Sequence, residues 1–156
     1  MRIGHGYDVH ETVLGKRLVL GGVEIDSYFG LEAHSDGDVL IHALADAIFG
    51  AAGLRDIGYF FPDTSDDTYN MDSRGILAFA VAKIRELSLD IEYADCTLVA
   101  KEPKLSPYID LIRESLADVM DIDVSRVNVK ATTEESLGFT GRGEGIKAFA
   151  VCLLKE

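Results

Sequence analysis

The chain has 156 residues, 47% hydrophobic and 27% charged, a size and balance suited to one ordinary domain with a core that needs no staples. The composition is not that of a disordered chain, and no apolar run approaches the roughly 18 residues needed to cross a bilayer. A formal net charge of −12 makes nucleic acid and anionic membrane surfaces poor partners, so an anionic ligand has to be attracted locally, for instance by a bound cation.

The N-terminal MRIGHGYDVH lacks the layout of a secretory signal or transit peptide, which fits a cytoplasmic protein or a mature plastid form already trimmed. Residues 2–10 read as a strand. RLVL-GG-VEI (17–25) reads as a hairpin, since Gly21 and Gly22 can take the positive φ that a two-residue turn demands. From Ser35 to about Gly53 the pattern is helical, with Leu40, Leu44, Ala47 and Ile48 on one face and Ser35 and Asp38 in a capping-like S-x-x-D. A polar loop, FPDTSDDTYNMD (61–72), leads to a second helix from Ser73 to Leu87, with Ile76, Leu77, Ala80, Val81, Ile84 and Leu87 as its buried stripe. DIEYADCTLVA (90–100) is a strand. Ser106-Pro107 then places a capping residue before proline at a first helical position, opening a helix with Ile109, Ile112, Leu116 and Val119 inward. RVNVKATT and IKAFAVCLL close the chain as strands. Cys96 and Cys152 fall in strand-like runs, as small buried hydrophobes with free thiols. With no repeat, low-complexity tract or linker, residues 1–156 are expected to form a single domain. The expected fold is α+β, an α/β sandwich whose mixed sheet is covered by helices on one face, with ferredoxin-like helix-strand repeats.

All four histidines, His5, His10, His34 and His42, fall within the first 42 residues. Strand alternation turns Asp8 and His10 of GYDVH to the same face. On the first helix, Asp38, His42 and Asp46 are spaced by four and line one side. One carboxylate and two imidazoles form a three-ligand set suited to Zn²⁺ that leaves the fourth tetrahedral position open, as catalytic sites do. Asp38 or Asp46 is then placed to orient an imidazole from behind. The same spacing is also met by a half-buried strand histidine and a histidine on a helix surface.

Three stretches, MRIGHGYDVH, GLEAHSDGDVLIHALADAIFGAAGLRDIGYFFPDTSDD and VNVKATTEESLGFTGRGEG, resemble the signature blocks of the 2-C-methyl-D-erythritol 2,4-cyclodiphosphate synthases, the ring-closing enzymes of non-mevalonate isoprenoid biosynthesis. The likeness runs nearly end to end. It implies a lyase acting on 4-diphosphocytidyl-2-C-methyl-D-erythritol 2-phosphate: the free 2-phosphate attacks the β-phosphorus, CMP leaves, and a cyclic diphosphate remains. It also implies a homotrimer with active sites between subunits, one Zn²⁺ per subunit on Asp8, His10 and His42, and a Mg²⁺ or Mn²⁺ on Glu135. An isoprenoid diphosphate or other anion is expected on the three-fold axis, near Arg142.

By the same resemblance His34 and Thr133 are catalytic, and Ser35 lies beside His34 near the attacking phosphate, ahead of a helix N-terminus that favours anions. Asp56, Ile57, Gly58, Phe61, Pro62, Asp63, Thr64 and Ser65 would contact the sugar-derived part of the substrate. Ala100, Lys104 and Leu105 of AKEPKL would receive cytosine and phosphate, and Thr132, Phe139 and Arg142 complete the set.

Without the family, Ser35 is a plain N-cap, 61–65 a polar turn and AKEPKL a solvated charged turn. GFTGRGEG is no P-loop, lacking both the G-x-x-x-x-G-K spacing and a following long helix; its glycines permit tight turns. Glu134 competes with Glu135 as a cation ligand, and alignment to T-x-E-x-L-G-F favours Glu135. Arg142 can face an anion or pair with Glu144. Two other functions suit the donor set: a metal-dependent phosphodiesterase or pyrophosphatase, and a non-catalytic trimeric zinc-containing module that binds an anion.

Overall fold

The first strand runs further than the sequence pattern indicates. In the computed structural model, which describes residues 1–33, 35–62 and 71–156, the chain order is β1 (Arg2–Leu14), β2 (Leu18–Leu20), β3 (Val23–Ile25), β4 (Phe29–Leu31), α1 (Val39–Ala52), α2 (Ile57–Phe60), α3 (Ser73–Glu86), β5 (Asp90–Val99), α4 (Ile109–Met120), β6 (Val127–Thr132), α5 (Gly138–Arg142) and β7 (Gly145–Lys155). One sheet has the order β4-β1-β7-β5-β6. It is mixed: β5 and β6 are parallel, and its other neighbours are antiparallel. β1 extends to Leu14 because its far end pairs with β4, Thr12 opposite Leu31. The hairpin forms as the sequence indicates, with Gly21 at φ 61° and Gly22 at φ 76° between β2 and β3.

The inward sheet face is covered by helices. α1 differs from the one-sided stripe read from sequence: Val39, Leu40, Ile41, Ala43, Leu44, Ala45, Ala47, Ile48 and Phe49 are all fully buried. A helix apolar around most of its circumference belongs inside, and α1 lies between β1, β7 and α3. Burial of a leucine or isoleucine of this kind contributes about 2 kcal/mol. The helix can approach the sheet because β1 offers glycine where it passes. A Cβ at Gly4 would lie 1.9 Å from Ala47 O, and one at Gly6 1.8 Å from Ala43 O. Gly53, left-handed at φ 75°, closes α1 by donating its N–H to Gly50 O.

Three helix ends depart from the sequence reading. Asp38, rather than Ser35, caps α1. α3 stops at Glu86, so Leu87 is its C-cap and is exposed instead of completing the stripe. Ser106 does not cap α4, because a turn in which Tyr108 N–H bonds to Leu105 O delays the helix to Ile109. Cys96 and Cys152 are buried, free thiols on β5 and β7. The outward sheet face carries Ile3, Tyr7, Val9, Tyr93 and Val151, all exposed. Among the described residues no helix is long and apolar enough to cross a membrane.

Candidate active site

β1 and α1 bring a carboxylate and two imidazoles to one point. Asp8 Oδ2 is 2.8 Å from His10 Nε2 and 3.1 Å from His42 Nδ1, and the two ring nitrogens are 3.1 Å apart. Donors bound at 2.0–2.1 Å around a tetrahedral ion lie about 3.3 Å from one another, so the set fits a zinc-sized cation with little adjustment. Among the described residues this is the only group of three or more metal-ligating side chains so close together. Burial alone would raise the Asp8 carboxyl, but hydrogen bonds to His10 and His42 outweigh it and hold Asp8 below the usual carboxylate range. Burial opposes charge on His10 too, yet the bond to Asp8 raises its pKa.

The surroundings of the imidazoles differ from the sequence expectation. Among the described residues, neither Asp38 nor Asp46 hydrogen-bonds to a histidine. Asp38 is fully buried and accepts the N–H groups of Gly21, Gly22 and Ile41, tying the hairpin to the start of α1. A carboxylate therefore already occupies the helix end at which a phosphate was expected. Asp46 accepts from Ile57 N–H at 3.0 Å, and burial pushes its carboxyl up. Among the described residues, the groups that do reach the rings are Glu32 O, 2.8 Å from His10 Nδ1, and the hydroxyls of Ser35 and Ser73, 3.2 and 3.1 Å from His42 Nε2. Ser73 and its partner Asp36 carry no motif, and only the folded chain shows them. His5 stands apart from the cluster, on the outward face beside Phe149 at 6.2 Å between ring centroids.

The triad opens into a cavity of about 690 Å³ whose walls include Ser35, Asp46, Asp56, Ile57, Gly58 and Phe61. Asp56 caps α2, and Phe60 and Phe61 pack on Phe49 and Phe79, which anchors this wall to α1 and α3. Pro62 is exposed. His34, Asp63, Thr64 and Ser65 lie outside the described residues.

Of the remaining candidates, Ala100, Lys104, Leu105, Thr132, Thr133 and Glu135 gather elsewhere, at the ends of β5 and β6, whereas Phe139 and Arg142 lie on α5, with Phe139 in a groove that it shares with His10. Ala100 N–H donates to Thr132 O, Lys104 is exposed, and the Ala100 and Leu105 side chains are buried, leaving backbone groups as what those two can offer. Glu135 N–H donates to Thr133 Oγ1 at 3.3 Å, with Glu135 left-handed at φ 50°. Glu134 is engaged by Lys147 Nζ at 2.6 Å and by Thr140 Oγ1, bonds that hold its carboxyl down. Phe139 lies under Lys147, and Arg142 pairs in two-pronged fashion with Glu144 at 2.7 and 3.0 Å. None of these residues lines the triad cavity. The register Asp8, Ala148, Leu98, Ala131 crosses three strand spacings, roughly 14 Å.

The chain matches the model of the YgbB family over residues 1–155. The 2-C-methyl-D-erythritol 2,4-cyclodiphosphate synthase of Lachnospira eligens is 54% identical over 156 residues, covering all of this chain and 85% of that protein. A solved 2C-methyl-D-erythritol-2,4-cyclodiphosphate synthase in a CDP-bound form superposes with a TM-score of 0.91 at 36% identity, covering 99% of this chain and all of that one. The bifunctional IspDF from Campylobacter jejuni superposes at 0.96 with 45% identity; 99% of this chain corresponds to 42% of that longer chain. On sequence, fold and clustered donors alike, the chain belongs to the YgbB family, the family of the 2-C-methyl-D-erythritol 2,4-cyclodiphosphate synthases.

Proposed function

We propose that residues 1–156 act as a single catalytic domain carrying out the cyclodiphosphate synthase reaction, with zinc on Asp8, His10 and His42, magnesium or manganese at Glu135, and an active site completed between subunits of a homotrimer. One observation carries the metal reading: three donor atoms converge within 2.8–3.1 Å of one another on packed secondary structure. Bound there, the cations supply positive charge that polarises and neutralises the substrate diphosphate.

What the chain itself contributes is position. Nucleophile and electrophile belong to one substrate molecule, so no protein nucleophile is required, and holding the 2-phosphate in line with the β-phosphorus removes much of the barrier. In this reading Ser35, whose hydroxyl lies 3.2 Å from His42 Nε2, receives a phosphate of the substrate, and His34 acts as a catalytic residue. Asp56, Ile57, Gly58 and Phe61 wall the cavity for the sugar-derived part, with Pro62, Asp63, Thr64 and Ser65 following. Lys104, Thr132, Thr133 and the Ala100 and Leu105 backbones hold the cytidine diphosphate. Glu134 is already neutralised by Lys147, which supports Glu135 as the cation ligand.

The separation of Asp8 from the residues at the ends of β5 and β6 by roughly 14 Å supports a site shared between chains, as does the apolar outward face of the sheet. An anion on the three-fold axis would have to draw Arg142 from Glu144. Metal analysis and phosphorus NMR of the products test the reading together. CMP with a cyclic diphosphate is expected; CMP with a linear bisphosphate would make the protein a hydrolase. Mixing Asp8→Ala with Glu135→Ala chains should restore some activity, and no recovery in verified mixed trimers would place both residues in one subunit's site.

A further inference from the structure

The two histidines of the triad present opposite ring nitrogens to it. His10 Nδ1 lies 2.8 Å from Glu32 O, which only accepts, so Nδ1 carries the proton and Nε2 is left for the cluster. His42 is turned round: Nδ1 faces Asp8 and His10, while Nε2 faces Ser73 Oγ at 3.1 Å and Ser35 Oγ at 3.2 Å. Ser73 is fully buried at the start of α3. Its hydroxyl donates to Asp36 Oδ1 and its N–H to Asp36 Oδ2 at 3.0 Å. Asp36 is held in turn, donating its own N–H to Met71 O and accepting from Asp38 N–H. With the serine proton committed to a carboxylate, Ser73 Oγ can only accept from the imidazole.

We propose that Ser73, aimed by Asp36, is a positioning residue of the metal centre: it fixes His42 with its proton on Nε2 and so leaves Nδ1 as a metal ligand. The inference rests on the metal reading above. It assigns to α3 a direct part in organising a site whose ligands come from β1 and α1.

Two substitutions test it. Ser73→Ala removes the acceptor. Asp36→Ala removes the carboxylate that holds the serine proton, which frees the hydroxyl to donate to Nε2 and favours the tautomer that cannot bind through Nδ1. In equilibrium competition against a chromogenic chelator, both are expected to weaken zinc binding about 10–100-fold, and Ser73→Thr, which keeps the hydroxyl, to restore most of it. In the zinc-loaded protein, the His42 Nε2–H proton should exchange slowly with water in wild type and rapidly in Ser73→Ala. Should Ser73→Ala fail to fold, Asp36→Ala and wild-type Nε2–H exchange decide. Wild-type zinc affinity in folded Asp36→Ala overturns the proposal, as does a loss in Ser73→Thr equal to that in Ser73→Ala. Wild type that binds no zinc overturns the metal reading itself. Equal binding by wild type and both variants, with His42→Ala losing zinc, overturns the positioning role alone.

Discussion

Asp38 joins the β2–β3 hairpin to the first turn of α1, and asparagine at this position separates its hydrogen bonds from its charge. In the wild type Oδ1 accepts from Gly21 N–H at 2.9 Å and Ile41 N–H at 3.0 Å, and Oδ2 accepts from Gly22 N–H at 2.7 Å. Asparagine keeps one oxygen, enough for the first two, and sets an amide N–H against Gly22 N–H. A buried donor without an acceptor costs about 1–3 kcal/mol. The charge acts in the other direction: burial pushes the Asp38 carboxyl up from 3.8 to about 6, against its three N–H donors. Since the folded value lies above the unfolded one, the stabilising contribution is complete below about pH 4 and is lost as the pH rises through about 6. Two units correspond to about 3 kcal/mol, of which about 2 kcal/mol falls between pH 7 and pH 4. Asp38→Asn is therefore expected to cost up to about 3 kcal/mol at pH 7 and about 2 kcal/mol more at pH 4. Urea unfolding followed by far-UV circular dichroism at pH 4, 5, 6 and 7, with chelator present so that bound metal does not contribute, measures the difference directly. A penalty that stays flat, or shrinks toward pH 4, would refute the reasoning.

Three further outcomes are expected. His42→Ala should lose bound zinc and turnover together while keeping the helix, since alanine is the better helix former; stoichiometric zinc with full activity would remove His42 from the ligand set. A magnesium titration of CMP release should shift to higher concentration in Glu135→Gln and barely move in Glu134→Gln, whose wild-type carboxylate is held by Lys147 and Thr140; the reverse order would exchange the two roles. Cys96 and Cys152, with burial pushing both thiols to about 12, should react with a thiol reagent at pH 8 about 10³-fold more slowly than free cysteine until the protein is unfolded. Prompt labelling of the native protein would show that the sheet interior is open.

Periodicity carried the local structure further than it carried the contacts. Asp8 and His10 share a face because strand side chains alternate, and the same parity places His5, an odd number of residues from Asp8 and His10, on the opposite face; that signal was legible and decides against including it. In VLIHALADAIFGAA only His42 and Asp46 are polar or charged, so the burial of α1 on nearly every side was also open to reading. What the four-residue spacing of Asp38, His42 and Asp46 does not contain is what packs over each: a hairpin covers Asp38, and the start of α2 meets Asp46. Ser73 and Asp36 are 37 residues apart, and no pattern of period two or 3.6 relates them. Leu87 fits the helical stripe of α3, but hydrophobic period says nothing of where a helix ends.

The contact at Gly4 and Gly6 turns two absent side chains into a gauge. Helix and strand meet there backbone to backbone, so the gap that sets His42 against Asp8 is defined by the stiffest part of the polypeptide rather than by rotamers that can repack. Ligand spacing at the metal centre is thereby insulated from the ordinary drift of core residues. The same arrangement leaves no independent adjustment: any substitution that wedges α1 away from β1 changes the coordination distance and the packing of the core in one movement, so evolution cannot retune one without the other.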